Sequence, residues 1–313
     1  MKIPQSQHGR RQFLKQAAGM ALPFFVLRGN AGPQPLQVQV FSKHLQFLSY
    51  SEMADAAATI GFDGVDLTVR PRGHVLPERV SDDLPRAIEA IRKAGLQHPM
   101  MTTAIDDARD PVDQNVLETA ARLGIKFYRM NWLRYPQDKS IPEAVTDFRK
   151  TLKELSALNR RMGIVGCYQN HSGNMAGASL WELSSMIQDC DPSFLGVQYD
   201  IRHAVVEGGL SWANGLRLIQ PHIHLLAIKD FVWTRRDGKY VVQNVPLGEG
   251  MVDFKTYFSM LKAFNINVPV SLHFEYNLGG AEHGRDKITI DKSEVFNAMK
   301  KDLLWLCRTW QEA

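Results

Sequence analysis

The feature that most constrains this chain is an alternation that starts at Leu36 and runs through eight rounds. Each round is a short run rich in β-branched and aromatic residues, followed by a longer stretch with apolar residues at three- and four-residue steps. The β-rich runs are Leu36–Phe41, Gly64–Val69, Gln97–Thr103, Phe127–Trp132, Ile164–Gln169, Gly196–Asp200, Ile223–Lys229 and Val268–Glu275. The helical stretches are Tyr50–Ile60, Asp83–Ala94, Asp113–Leu123, Ile141–Met162, Ser179–Asp189, Ser211–Leu218, Asp253–Phe264 and Ser293–Trp310. Gly61, Gly95, Gly124 and Gly163 stand where helices should stop. Eight strand–helix units predict an α/β fold closed as a (β/α)₈ TIM barrel, for which ~250 residues is typical. An open doubly wound sheet is the competitor. No Gly-rich dinucleotide fingerprint follows the first strand, so no nucleotide cofactor is expected.

Residues 1–31 read differently. Gly9-Arg10-Arg11-Gln12-Phe13-Leu14-Lys15 precedes a mostly small and apolar run to Leu27 and a small-residue exit at Gly29-Asn30-Ala31. A charged start, a short apolar run and such an exit describe a secretory signal. The paired arginines resemble the twin-arginine export motif, with Gly9 where Ser or Thr is usual. The expected division is therefore a signal segment over 1–31 and one barrel domain over 32–313. The expected partner is the twin-arginine export machinery, and the expected location is periplasmic or otherwise exported. The apolar run is too short for a permanent bilayer span of ~20 residues, so no stable membrane anchor is expected. The formal charge of +4 falls to −1 once Lys2, Arg10, Arg11, Lys15 and Arg28 are set aside, which removes any electrostatic case for nucleic acid. Cys167, Cys190 and Cys307 lack CxxC spacing and read as small buried hydrophobes.

Polar residues in or just after barrel strands need a reason, because a barrel interior is packed with apolar side chains. Here they gather at the strands' C-terminal ends, where barrel sites are built. The second strand supplies Asp66 and Arg70, the third Thr102, Thr103 and Asp106, and the fourth Arg129 and Asn131. The fifth ends in Tyr168-Gln169-Asn170-His171, the sixth in Asp200-Ile201-Arg202-His203, the seventh in Lys229-Asp230 and the eighth in His273-Phe274-Glu275. Strand alternation turns His273 and Glu275 to one face, and Arg129 and Asn131 likewise. Such a mixture suits a polyhydroxylated ligand, a divalent cation, or both. Some members have plainer readings: Asp66 as a brace, Asp230 as a turn cap, Arg129 as a salt bridge. Trp132 and Trp233, near strand ends, are the best tryptophan candidates for a sugar platform.

The segments Tyr168-Gln169-Asn170-His171-Ser172-Gly173, Tyr199-Asp200-Ile201-Arg202-His203-Ala204, Ile228-Lys229-Asp230 and Leu272-His273-Phe274-Glu275-Tyr276 resemble the xylose-isomerase-like TIM barrels, the sugar isomerase and epimerase superfamily that also includes endonuclease IV. The resemblance covers nearly everything after the signal segment. It implies a divalent metal, Mn²⁺ or Mg²⁺, held on strands five to eight at positions that are here Gln169, Asp200, Ala227 and Glu275. Two keep their carboxylates, Gln169 can offer a neutral oxygen and Ala227 offers nothing, so a weakly held metal is expected.

The resemblance further implies an isomerase or epimerase that removes a proton next to the carbonyl of an unphosphorylated sugar. Glu275 is the expected base or metal ligand, with Lys229 and Arg129 stabilising negative charge. His203 is the expected partner of a sugar hydroxyl, and Asp66, Arg70, Asn131, His171, His273 and Trp233 are the expected remaining substrate contacts. A lyase or hydratase on a 3-keto-sugar or keto-glycoside shares the proton abstraction and is the alternative. A non-catalytic sugar-binding relative is the third reading, supported by the changes at 169 and 227. Endonuclease activity is disfavoured by the lack of a basic stripe.

Overall fold

A computed structural model describes residues 34–313; the predicted export segment, 1–31, lies outside the described residues. Eight parallel strands close into a barrel. In chain order these are β1 (Val38–Phe41), β2 (Gly64–Val69), β3 (Gln97–Thr103), β4 (Phe127–Arg129), β5 (Val165–Gln169), β6 (Leu195–Asp200), β7 (Ile223–Ile228) and, after an inserted hairpin β8 (Asp230–Arg236) and β9 (Lys239–Val245), β10 (Val270–Leu272). Each barrel strand pairs with its neighbour in sequence, and β10 closes on β1 through Val38↔Val270 and Val40↔Leu272. Residues Pro35–Ala313 form one compact unit. Among the described residues no helix is long and apolar enough to cross a membrane.

The helices are α1 (Tyr50–Ile60), α2 (Val80–Lys93), α3 (Pro111–Arg122), α4 (Ile141–Met162), α5 (Leu180–Ile187), α6 (Ile201–Gly208), α7 (Trp212–Ile219), α8 (Phe254–Ala263) and α9 (Lys292–Glu312). Their ends are written locally. Reciprocal capping boxes, Ser49 with Glu52, Ser140 with Glu143 and Asp291 with Glu294, satisfy the first free N–H groups of α1, α4 and α9.

Period-two alternation sorts the strand residues onto two faces. Val38, Val40, Val65, Leu67, Tyr168, Val197, Tyr199, Leu226 and Leu272 face outward and join the helices in the main core. The inward set is smaller and mixed. Met100, Cys167 and Leu225 form an apolar plug inside the barrel, with Phe127 and Val165 against it. The other inward residues are largely polar, and those nearest the strands' C-terminal ends make the site.

Three boundaries differ from expectation for identifiable reasons. The eighth strand was expected to run to Glu275 but ends at Leu272, because Phe274 gives its N–H to the His44 ring at 3.0 Å rather than to a neighbouring strand. The fourth stops at Arg129, since Asn131 turns its N–H to Ile105 of the preceding loop. The expected irregular stretch after the seventh strand is instead the β8–β9 hairpin. Its tip, Asp237-Gly238, holds φ of 50° and 78°, the two positive values that a tight hairpin turn demands. Helix α6, which begins directly at Asp200, was also not foreseen.

Gly64 shows how little room the interior leaves. A Cβ there would collide with the Gln39 side chain and the Gln97 backbone carbonyl, which is fixed by its place in β3. Gly64→Ala is expected to destabilise the barrel by ~1–3 kcal/mol, read as a lower urea midpoint at unchanged slope.

Candidate active site

The site is built around one buried ammonium. Lys229, just past β7, is 4% exposed at its side chain and lies between two carboxylates: Glu275 Oε2 at 3.0 Å and Asp200 Oδ2 at 3.4 Å. Glu275 Oε1 takes a second ammonium, Lys43 Nζ, at 3.0 Å. Asp200 is fixed by its backbone surroundings. Its Oδ1 caps α6 by accepting the His203 N–H at 3.1 Å, and its own N–H goes to Asn170 Oδ1 at 2.8 Å. Its Oδ2 accepts the Gln169 Nε2 amide at 2.8 Å, and Gln169 Oε1 accepts Arg129 Nη1 at 3.0 Å. Gln169, Asp200, Lys229 and Glu275 thus converge at the C-terminal ends of four strands, as their positions in the sequence required.

Three imidazoles surround this core and burial keeps all of them neutral at pH 7. His171 is pushed down to about 4, His273 to about 3, and His203 well below the usual range, with Lys229 as the next cause in His171 and His203. In His203, Nδ1 accepts the Ser172 N–H at 3.1 Å, so the ring proton sits on Nε2, which faces Asp200 Oδ2 at 3.6 Å. The His203 and His171 rings lie 4.0 Å apart, His171 lies 4.5 Å from Trp132, and the Arg129 guanidinium covers Trp132 at 4.2 Å. His273 stacks on Phe41 at 4.3 Å. Its Nε2 meets Ser271 Oγ at 3.1 Å, and Ser271 donates onward to Asp66 Oδ2 at 2.6 Å. Its Nδ1 faces Glu275 Oε1 at 3.8 Å, beyond hydrogen-bond distance.

The charges are unevenly settled. Burial would raise the Glu275 carboxyl, but Lys229 and Lys43 overcome it and hold it well below the usual carboxylate range. Asp200 is raised by burial against the pull of Lys229. Arg129 is lowered to about 9, by burial and then by Arg70. Arg70 lies 5.6 Å over the Phe41 ring, in the fields of Asp66 and Glu275. Glu275 and Lys43 are the part-exposed members, at 22% and 16% of their side chains, while Asp200 and His203 are at 0% and 2%.

Not every expected contact is at this centre. Asn131 donates to Asp106 Oδ2 at 2.7 Å and braces that loop. Trp233 is 44% exposed on the hairpin, with Phe231 as its ring neighbour. Asp66 reaches the centre only through Ser271 and His273. Asp230 takes its plainer reading: Oδ1 accepts the N–H groups of Phe231 and Val252, and Oδ2 those of Gly248 and Gly250, all at 2.9–3.2 Å. Lys43 was missed, although it follows a strand end as the chosen residues do. Asn244 carried no signal; on β9 it accepts from Arg202 at 2.8 Å and donates to the Glu275 carbonyl at 3.4 Å.

Three of the four implied metal ligands lie at this centre, but their oxygens are engaged by protein groups. Gln169 was expected to offer an oxygen, yet it turns its nitrogen to Asp200 because Arg129 claims the oxygen. Ala227 is fully buried and has no donor. Among the described residues no group of three or more His, Cys, Asp or Glu is arranged to hold a metal ion.

Asp66 makes the site costly to the fold. Burial pushes its carboxyl from 3.8 up to about 6, against the hydrogen bonds from Ser271 and Thr102. Between these values the folded chain holds more protons than the unfolded one, so stability falls as pH rises through that window, by about 3 kcal/mol in all. Asp66→Asn is therefore expected to raise the urea midpoint relative to wild type at pH 8. The gain should shrink at pH 5, and equal shifts at both values would refute the assignment.

Among curated proteins none matches the chain. The chain resembles the apo 3-keto-D-glucoside 4-epimerase YcjR from E. coli at 16% identity and a TM-score of 0.64, over 87% of this chain and 98% of that one. It resembles a D-allulose 3-epimerase from Methylomonas sp. in complex with D-allulose at 15% and 0.63, over 89% and 99%. A xylose isomerase-like TIM barrel protein from Mycobacterium smegmatis in complex with magnesium aligns at 12% and 0.60, over 86% and 98%. At such identities the likeness establishes the fold. The family model for xylose isomerase-like TIM barrels matches residues 54–298, and the chain belongs to that family.

Proposed function

We propose that this chain is a sugar epimerase or isomerase that moves a proton next to the carbonyl of an unphosphorylated sugar or glycoside, acting after export. The observation that carries the reading is the Asp200–Lys229–Glu275 array at the mouth of the barrel, with acid, ammonium and imidazole groups within reach of one small polyhydroxylated ligand. That two of the similar structures bear the names of sugar epimerases supports it.

In the proposed step Glu275 takes the proton of the carbon beside the carbonyl. The C–H pair becomes the new C=C bond, the carbonyl π pair moves onto oxygen, and the enediolate oxygen is met by a hydrogen bond. Clamped by two ammonium groups, Glu275 is a weak base in the free enzyme. A substrate oxygen that draws an N–H from Lys229 loosens the clamp and returns basicity to the carboxylate at the moment it is needed. Delivery of a proton from water to the opposite face of that carbon, while Glu275 releases its own to water, gives the epimer; delivery to the former carbonyl carbon, with the hydroxyl proton passing to the former carbonyl oxygen, gives the isomer. His203, with its proton on Nε2, is placed as a donor to a hydroxyl, and Arg129 and Arg70 are the nearby cations for other substrate oxygens.

The test is a panel of free, 3-keto and glycosidic sugars incubated in D₂O and read by NMR. A substrate should gain deuterium beside its carbonyl and change configuration or carbonyl position. Glu275→Gln should slow that exchange ~10²–10⁴-fold with the fold intact by circular dichroism. Undiminished exchange would pass the role to His273, whose Nδ1 lies beside Glu275. Loss of a β-substituent would instead indicate a lyase, and binding without exchange a sugar-binding protein. Export is tested apart: replacing Arg10 and Arg11 by lysine should retain the protein in the cytoplasm without altering the activity of the purified barrel.

A further inference from the structure

An enediolate needs a positive partner, and the family resemblance assigns that task to a divalent cation. The geometry points elsewhere: we infer that the ammonium of Lys229, with Lys43 beside it, stands in the cation's place, and that this site works without a metal. The inference rests on the proton-transfer reading proposed above.

A hard divalent cation gathers oxygens at about 2.0–2.6 Å. Each of the four implied positions has lost or committed its donor. Ala227 has none. Gln169 is held at both ends, Oε1 by Arg129 at 3.0 Å and Nε2 by Asp200 at 2.8 Å. Turning that amide over would set its nitrogen against a guanidinium and its oxygen against a carboxylate, so its neighbours fix the orientation. Asp200 Oδ1 is spent on the His203 N–H, and Oδ2 faces Gln169 and Lys229. Both Glu275 oxygens hold a lysine at 3.0 Å. What bridges Asp200 and Glu275 is therefore a nitrogen.

That nitrogen is equipped for the exchange. An ammonium has three N–H donors; Glu275 takes one in a hydrogen bond at 3.0 Å and Asp200 faces the group as an ion pair at 3.4 Å, so donor capacity remains for a substrate oxygen. Lys229 and Lys43 together carry the charge of one divalent ion. They differ from it in kind: each donates single hydrogen bonds and neither can chelate two neighbouring oxygens. The chain should accordingly tolerate chelators and hold its sugar through separate contacts.

The test titrates Mn²⁺ into the purified full chain and follows the free ion by electron paramagnetic resonance. The wild type is expected to leave the free-ion signal undiminished. A Lys229→Met/Gln169→Glu/Ala227→His triple variant is expected to take up Mn²⁺ stoichiometrically. Stoichiometric uptake by the wild type that disappears in Asp200→Asn would overturn the inference. A triple variant folded by circular dichroism that takes up no ion would overturn the claim that Lys229 occupies the cation's position. If the triple variant does not fold, the wild-type titration decides alone. These readouts need no substrate, so they stand even if the proton-transfer reading fails. Once a substrate is known, EDTA should leave deuterium exchange unchanged, whereas Lys229→Met should lower it ~10²-fold or more.

Discussion

A buried carboxylate and a half-buried one at the end of a barrel cannot remain charged without a partner, and in this molecule Asp200 and Glu275 share Lys229, with Lys43 added on Glu275. Desolvating an ion costs several kcal/mol, and removing one member of a buried pair leaves the other uncompensated. Asp200 lies at the junction of β6 and α6, Glu275 follows β10, and Lys229 follows β7, so the three charges tie together the ends of three consecutive barrel strands. The arrangement explains why Gln169 serves where a third carboxylate would be awkward. A neutral amide can link Arg129 to Asp200, donating at one end and accepting at the other, without adding another charge to the centre.

Around that centre the fold spends other polar groups on position. His44 accepts the Phe274 N–H and contacts the Ala281 carbonyl, which sets the backbone between His273 and Glu275. Asp230, next to Lys229, gathers four backbone N–H groups and thereby fixes where the chain leaves the barrel. Ser172 and Arg202 direct Nδ1 of His203 and so determine which of its nitrogens carries the proton. These residues stand outside the Asp200–Lys229–Glu275 array, yet they set the geometry within it.

The barrel was legible because it depends on a repeated local signal, alternating strands and amphipathic helices with glycine stops, that survives errors at any one boundary. The centre was legible for a related reason: the strand-end rule picks out Asp200, Lys229 and Glu275 without knowledge of their distances. The rule failed in both directions. It admitted Asn131, which answers to a neighbouring loop, and it should have admitted Lys43, which stands two residues past β1 as Lys229 stands one past β7. What no local pattern carries is the direction in which an amide points. Gln169 looks like an oxygen donor in the sequence and is a nitrogen donor to Asp200 in the fold, because Arg129, forty residues earlier, claims its other end. Asn244 is hidden for the same reason, since its partners Arg202 and Glu275 are remote in the chain.

The hairpin has a consequence of a different order. Its ladder from Asp230↔Val245 to Arg236↔Lys239 closes upon itself, so its outer half can lengthen, shorten or change sequence without moving a barrel strand. That half carries Trp233 and Tyr240, 44% and 74% exposed, while Asn244 near its base touches the backbone of Glu275. Selection can therefore rewrite that patch of surface through one short stretch of gene while the barrel below stays under separate constraint. A chain built this way can change one patch of its surface while the pairing of its barrel strands stays as it is.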